Sequence, residues 1–164
     1  MARRAAFTAV ILLFSAALQF SILPWGRIGG ISPDLLLVVT VVVGLLSGPR
    51  AGMAAGFSAG LIEGALLGRG IGAYAAAKTF AGFLAGVAGG RLFVDNLRVI
   101  MGATAILTLV HEGIVGIFAP AGLGLWRSVS AGVGQAVYNG AIAFVVGATL
   151  RRARRLLPPE ELRA

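Results

Sequence analysis

The chain has 164 residues, of which 58% are apolar and 12% charged, with no cysteine and a formal net charge of +8. Soluble domains carry roughly 25% charged residues, so this composition, with several apolar runs of about 20 residues, excludes an aqueous globule and leaves no length for a second, soluble domain. The arginines sit at the ends of the apolar runs, which is the pattern of membrane insertion and argues against nucleic acid, while the lack of cysteine excludes disulfides and thiolate metal sites.

Six membrane segments are expected. The first covers about residues 5–23, after Arg3 and Arg4. It exceeds the usual 7–15-residue core of a signal peptide and has no small-x-small cleavage site, so it is expected to stay. It stops at Pro24-Trp25-Gly26, with Trp25 as an interface anchor. Ser32-Pro33-Asp34 then reads as a helix start, with Ser32 as N-cap, Pro33 at the first helical position and Asp34 in the first turn. The second segment, residues 34–47, spans only ~21 Å against a hydrocarbon core of ~30 Å. It is extended by its flanks, sits off-centre or is surrounded by protein.

Gly48-Pro49-Arg50 separates it from the third segment, residues 51–67. Gly68-Arg69-Gly70 turns the chain into the fourth, residues 71–90, and a connector at 91–98 with Asp95-Asn96 follows. The fifth segment, residues 97–119, holds His111 and Glu112 and ends at Pro120. A short loop with Trp126-Arg127 leads to the sixth, residues 128–150. The chain closes with Arg151-Arg152-Ala153-Arg154-Arg155 and Pro158-Pro159-Glu160-Glu161. This divides it into a six-helix transmembrane domain, residues 1–150, and a basic cytoplasmic tail, residues 151–164. Ten arginines fall on the side of the two termini and three (Arg27, Arg69, Arg127) on the other. That bias places both termini in the cytoplasm and favours an even number of spans. The arginine cluster at 151–155 would hold the last helix end against anionic membrane lipid.

Residues 52–90 are the most unusual part of the chain. Glycines recur every four residues at 52, 56, 60, 64 and 68, and Gly82 and Gly86 follow in the next segment. Each glycine weakens a helix by about 1 kcal/mol in water, but in a membrane the same spacing lets a neighbouring backbone approach closely. Gly52, Gly56, Gly60, Gly64, Gly82 and Gly86 are therefore the expected packing positions. Ser128, Gly132, Ala136 and Gly140 form a second seam at the same spacing, beside Gln135 and Asn139, which read as interhelical hydrogen-bonding groups. These seams leave a homodimer open.

Glu63 and Lys78 interrupt this apolar hairpin, and a charge in hydrocarbon costs at least ~2.5–3.5 kcal/mol unless paired or wetted. Both fall ~8–9 Å from the turn that joins their segments, on faces bordered by small residues. They form an ion pair that fixes the hairpin register, line a functional polar cavity, or leave Lys78 to snorkel to the surface. Paired only with each other, they predict a greater loss from Glu63→Gln alone than from Glu63→Gln with Lys78→Met. Glu112, with Thr108 on the same face, lies ~10 Å inside the fifth segment. Glu63, Lys78, Glu112, His111 and Asp34 thus all fall in the outer half of the bilayer. They make either a hydrated pocket or an internal network.

Catalytic and metal chemistry find little support. His111-Glu112 is not H-E-x-x-H, because Val115 stands where the second histidine would be, and one histidine without cysteine makes a zinc site improbable. Ser58 near Glu63 lacks a base, and Gly68-Arg69-Gly70-Ile71-Gly72 lacks the strand, helix and lysine of a phosphate loop. No catalytic residue, cofactor or metal is expected.

Several stretches resemble the MreD family of bacterial rod shape-determining membrane proteins. They are Ser32-Pro33-Asp34-Leu35-Leu36-Leu37, Gly48-Pro49-Arg50-Ala51-Gly52, Gly56-Phe57-Ser58-Ala59-Gly60-Leu61-Ile62-Glu63, Gly70-Ile71-Gly72-Ala73 and Phe80-Ala81-Gly82-Phe83-Leu84-Ala85-Gly86. Glu63 stands where many relatives carry Asp. The resemblance implies an all-α integral membrane protein of the bacterial inner membrane, similar in fold to the S components of energy-coupling-factor transporters. It also implies a non-enzymatic subunit of the elongasome, associated with MreC and through it with RodA, a class B penicillin-binding transpeptidase and MreB. The likeness to S components carries the alternative, a small-molecule-binding subunit of such a transporter.

Overall fold

A computed structural model describes residues 2–21, 30–90, 96–118 and 125–156. They form six helices and, among the described residues, no strand: α1 (Ala2–Ser21), α2 (Leu35–Ser47), α3 (Pro49–Leu67), α4 (Ile71–Gly89), α5 (Leu97–Phe118) and α6 (Leu125–Leu156). The stop at Pro24-Trp25-Gly26, the connector through Asp95, Pro120 and the terminal Pro158-Pro159-Glu160-Glu161 lie outside the described residues.

The short α2 is the centre of the bundle. It packs against each of the other five helices, and Leu36, Leu37, Val38, Thr40, Val41, Val42, Gly44 and Leu45 are all buried. A 13-residue helix reaches only ~20 Å, and here its neighbours surround it, so it need not match the bilayer alone. One core cluster joins Leu37, Val38, Val41 and Leu45 to Ala81 and Ala85 of α4, Ile100 and Leu107 of α5 and Ala143 of α6. A second joins Leu36 to Leu12 and Ala16 of α1 and Ala59 of α3.

Helix boundaries depart from the sequence expectation in instructive ways. Asp34, not Ser32, is the N-cap of α2, with its Oδ1 accepting from the Leu37 N–H at 2.8 Å. A start at Pro33 would put Asp34 inside the first turn and take its carboxylate off the orphan N–H groups that it caps. A single residue, Gly48, joins α2 to α3 at φ 89°, where an added Cβ would meet nothing. The backbone angle, not space, demands glycine there. Pro49 opens α3 at the first helical position, where a missing N–H costs nothing. Trp126 and Arg127 belong to α6 rather than to a loop, and the helix continues through the arginines at 151–155 to Leu156.

α3 and α4 form an antiparallel hairpin closed by Gly68 in the left-handed region. Along it, Gly52 faces the Gly82 backbone, Gly56 the Lys78 carbonyl, Gly60 the Ala75 backbone and Gly64 the Ile71 Cα; Gly86 faces Pro49. A Cβ at any of these glycines would come closer than 3.0 Å to those atoms. Gly68 leaves the pattern, since nothing lies near it and its work is the turn.

The outer surface is apolar, with Phe7, Phe14, Ile106, Ile117, Phe118 and Val137 exposed. Ile71–Gly89, Leu97–Phe118 and Gly132–Arg152 are long and apolar enough to cross a membrane, and Ala6–Ser21 and Leu35–Ser47 are shorter apolar helices. Apolar side chains outside and polar ones inside are what lipid as solvent selects. This is a multi-pass membrane protein.

Candidate functional site

The polar groups at membrane depth converge at one end of the bundle, near the ends of α1, α3 and α5 and the starts of α2 and α4. Lys78 is fully buried and does not snorkel. Its Nζ bonds Asp34 Oδ2 and lies 2.8 Å from Glu63 Oε2. The second is a close ion contact without hydrogen-bond alignment. The expected hairpin partner is thus in reach, but Asp34 of a third element shares the same ammonium.

Neutral groups extend these contacts to the remaining helices. Gln19 of α1 donates from Nε2 to Glu63 Oε1 at 3.4 Å and accepts from the Leu36 N–H at 3.2 Å. Asn139 of α6 accepts from the Asp34 N–H at 2.8 Å and donates to Thr108 Oγ1 of α5 at 3.1 Å. The Thr108 hydroxyl in turn donates to the Thr104 carbonyl at 2.8 Å. Every helix supplies at least one group to this network. At the start of α2, where lipid cannot satisfy free N–H groups, those of Asp34, Leu36 and Leu37 are held by side chains of α6, α1 and α2 respectively.

His111 is buried and reaches Glu112 Oε1 from Nδ1 at 3.1 Å, while its Nε2 has no hydrogen-bond partner. The Tyr74 ring lies beside it, with centroids 6.2 Å apart. Glu112 is at the edge, its side chain 30% exposed, whereas Thr108, one turn earlier, is wholly buried. Of the five acidic, basic and imidazole groups singled out from the sequence, Asp34, Glu63, Lys78 and His111 form the interior, and Glu112 lies at its edge. Gln19 and Thr104 were not legible as members. A lone Gln in the last turns of an apolar helix was the available signal for the first, whereas membrane helices commonly contain Thr.

Asp34, Glu63 and His111 each offer a ligand atom within 4.8 Å of one another, a spacing that suits a metal ion. The Lys78 ammonium, however, already contacts both carboxylates and supplies the positive charge a metal would bring. In this structure the two carboxylates belong to an ion network built on the Lys78 ammonium. Separately, an apolar groove of about 640 Å³ opens between α3 and α4, bordered by Met53, Phe57, Leu61, Phe80 and Phe83. No charged residue of the network lines it.

Comparison with curated proteins and with solved structures returned no match. A family model described as rod shape-determining protein MreD matches residues 1–151, nearly the whole chain. The match spans all the described helices up to the first arginine of the cluster at 151–155, and the chain belongs to the MreD family.

Proposed function

We propose that the protein is a non-enzymatic membrane subunit of the bacterial rod complex that binds MreC, and through it meets RodA, a class B penicillin-binding transpeptidase and MreB. In this role it helps regulate peptidoglycan synthesis and cell shape, with both termini in the cytoplasm. Membership of a rod shape-determining family supports the setting. The observation that carries the non-enzymatic reading is how the polar side chains are spent. Asp34, Glu63, Lys78, Gln19, Asn139 and Thr108 all bond one another or helix ends, and none of them faces the apolar groove. A frame so braced offers partners its lipid-facing helix surfaces, where small and aromatic side chains give close packing in lipid.

Affinity purification in mild detergent, followed by identification of what co-purifies, tests this reading. MreC and members of the elongation machinery are expected, and depletion of the protein should round the cells without a transport defect. Recovery of a cytoplasmic ATPase pair and a small ligand without MreC would instead establish the energy-coupling-factor alternative.

A further inference from the structure

The buried network is not balanced in charge. Asp34 and Glu63 are two carboxylates sharing one ammonium, with side chains only 2%, 9% and, for Lys78, 0% exposed. With both acids ionised and His111 neutral, the site would carry a net charge of −1 out of reach of water. A buried charge without a partner is costly enough that such sites take up a proton instead. Groups in position to accept it are present. A ring nitrogen of His111 lies within 4.8 Å of both carboxylates, and its Nε2 is buried without a partner. The other ring nitrogen contacts Glu112, which reaches the surface of the bundle.

We propose that Asp34, Glu63 and His111 together bind one exchangeable proton in addition to those of the Lys78 ammonium, and that Glu112 connects this site to the surface through the imidazole. The proton belongs to the group, not to one residue, because sites this close titrate together. Around it, α2 presents Asp34, α3 Glu63, α4 Lys78 and Tyr74, the α3–α4 turn Arg69 beyond Tyr74, and α5 His111 and Glu112; α1 and α6 contribute the neutral Gln19 and Asn139. Loss of the proton leaves Asp34 and Glu63 competing for one ammonium. Since Asp34 also ties α2 to α6 and Glu63 ties α3 to α1, proton occupancy sets how firmly the six helices hold together. The protein would then report the pH on the side where Glu112 emerges.

The sign follows from proton counting. Over the pH range in which the folded site keeps a proton that the unfolded chain has already released, stability falls as pH rises, and it levels off once the site itself has lost the proton. One proton changes the folding equilibrium about tenfold per pH unit, or about 3 °C in melting midpoint for a chain of this size. His111 is the sole histidine, so its imidazole ¹⁵N resonances need no assignment. Those resonances and the infrared band of protonated carboxyl groups should be followed from pH 5 to 8 in lipid bilayers. Wild type should show a transition by one of these probes. Glu63→Gln leaves Asp34 and Lys78 balanced, and should abolish that transition or move it by a pH unit or more. Melting midpoints in detergent should slope with pH in wild type and be flat in Glu63→Gln. No transition by either probe overturns the proposal, as does one that Glu63→Gln leaves unchanged. The absence of a wild-type transition overturns the proposal even if the variant does not fold.

Discussion

The α3–α4 hairpin and the α5–α6 pair are both antiparallel, and both carry small residues at spacing four, yet they are held together by different means. In the hairpin, glycine meets backbone at every turn, from Gly52 against Gly82 to Gly64 against Ile71. Between α5 and α6 the same spacing gives looser contacts. A Cβ on Gly132 would lie 3.5 Å from that of Glu112, and one on Gly140 would lie 3.2 Å from the Met101 carbonyl. There a side-chain bond, Asn139 to Thr108, joins the two helices. A glycine repeat permits close approach but does not cause it. The partner must also present small residues or bare backbone in register, which α4 does and α5 does not.

Lys78 belongs to both means of attachment, because its carbonyl lies under Gly56 and its ammonium holds Asp34 and Glu63. Its loss is the harshest test of whether charge or backbone packing holds the hairpin. Lys78→Met leaves two carboxylates buried without a counter-charge and should cost about 3–5 kcal/mol. That is a large part of the whole stability of a typical protein, so little monodisperse protein should elute from size exclusion. Adding Asp34→Asn and Glu63→Gln should restore most of it, since Asn keeps a capping oxygen for the Leu37 N–H. Glu63→Gln by itself should be mild. The expectation from sequence is the reverse, because it pairs Glu63 with Lys78 alone, whereas Asp34 is a second acid on the same ammonium.

Backbone packing is tested next. Gly56→Ala inserts a methyl group against the Lys78 carbonyl, and only separation of the helices can relieve it. A loss of about 1–3 kcal/mol or more is expected, read as a lower unfolding temperature in detergent. On the other pair, Asn139→Ala leaves the buried Asp34 N–H without its partner and should cost about 1–3 kcal/mol. Steric trapping or unfolding in mixed micelles can measure this. If Asn139→Ala proves harmless while Gly56→Ala does not, apolar contact alone holds α5 to α6.

Much of this was legible in the residues, and the parts that were not share a cause. Helix number, the hairpin seam and the exceptional status of Glu63 and Lys78 follow from local spacing and from the cost of charge in lipid. Asp34 reads as part of a helix start, which it is, but its second partner lies 44 residues away. Gln19 is a single amide in an apolar helix and carries no periodic signal. Its bonds to Glu63 and to the Leu36 N–H exist only once α1 is docked on α2 and α3. Long-range pairing among single polar residues has no signature in one sequence. The short α2 was a warning of such pairing, because a helix too short to span on its own must be surrounded by others.

The smallest expected effect is the most direct test of the contrast between the two regions. Gly113 lies in α5 and would place a Cβ in open space, with nothing within 4 Å. Glycine there serves no close approach and adopts ordinary helical angles, so Gly113→Ala should stabilise the helix by up to about 1 kcal/mol through propensity alone. Gly60→Ala, in an equally helical position, would meet the Ala75 backbone and should destabilise. The two substitutions add the same methyl group to the same type of residue, so any intrinsic effect of glycine cancels between them. Opposite signs in paired detergent melts would show that register with a partner backbone, rather than glycine content, makes the α3–α4 hairpin the firm half of the bundle. A loss at Gly113 as large as at Gly60 would mean that α5 packs more tightly than its open glycines indicate.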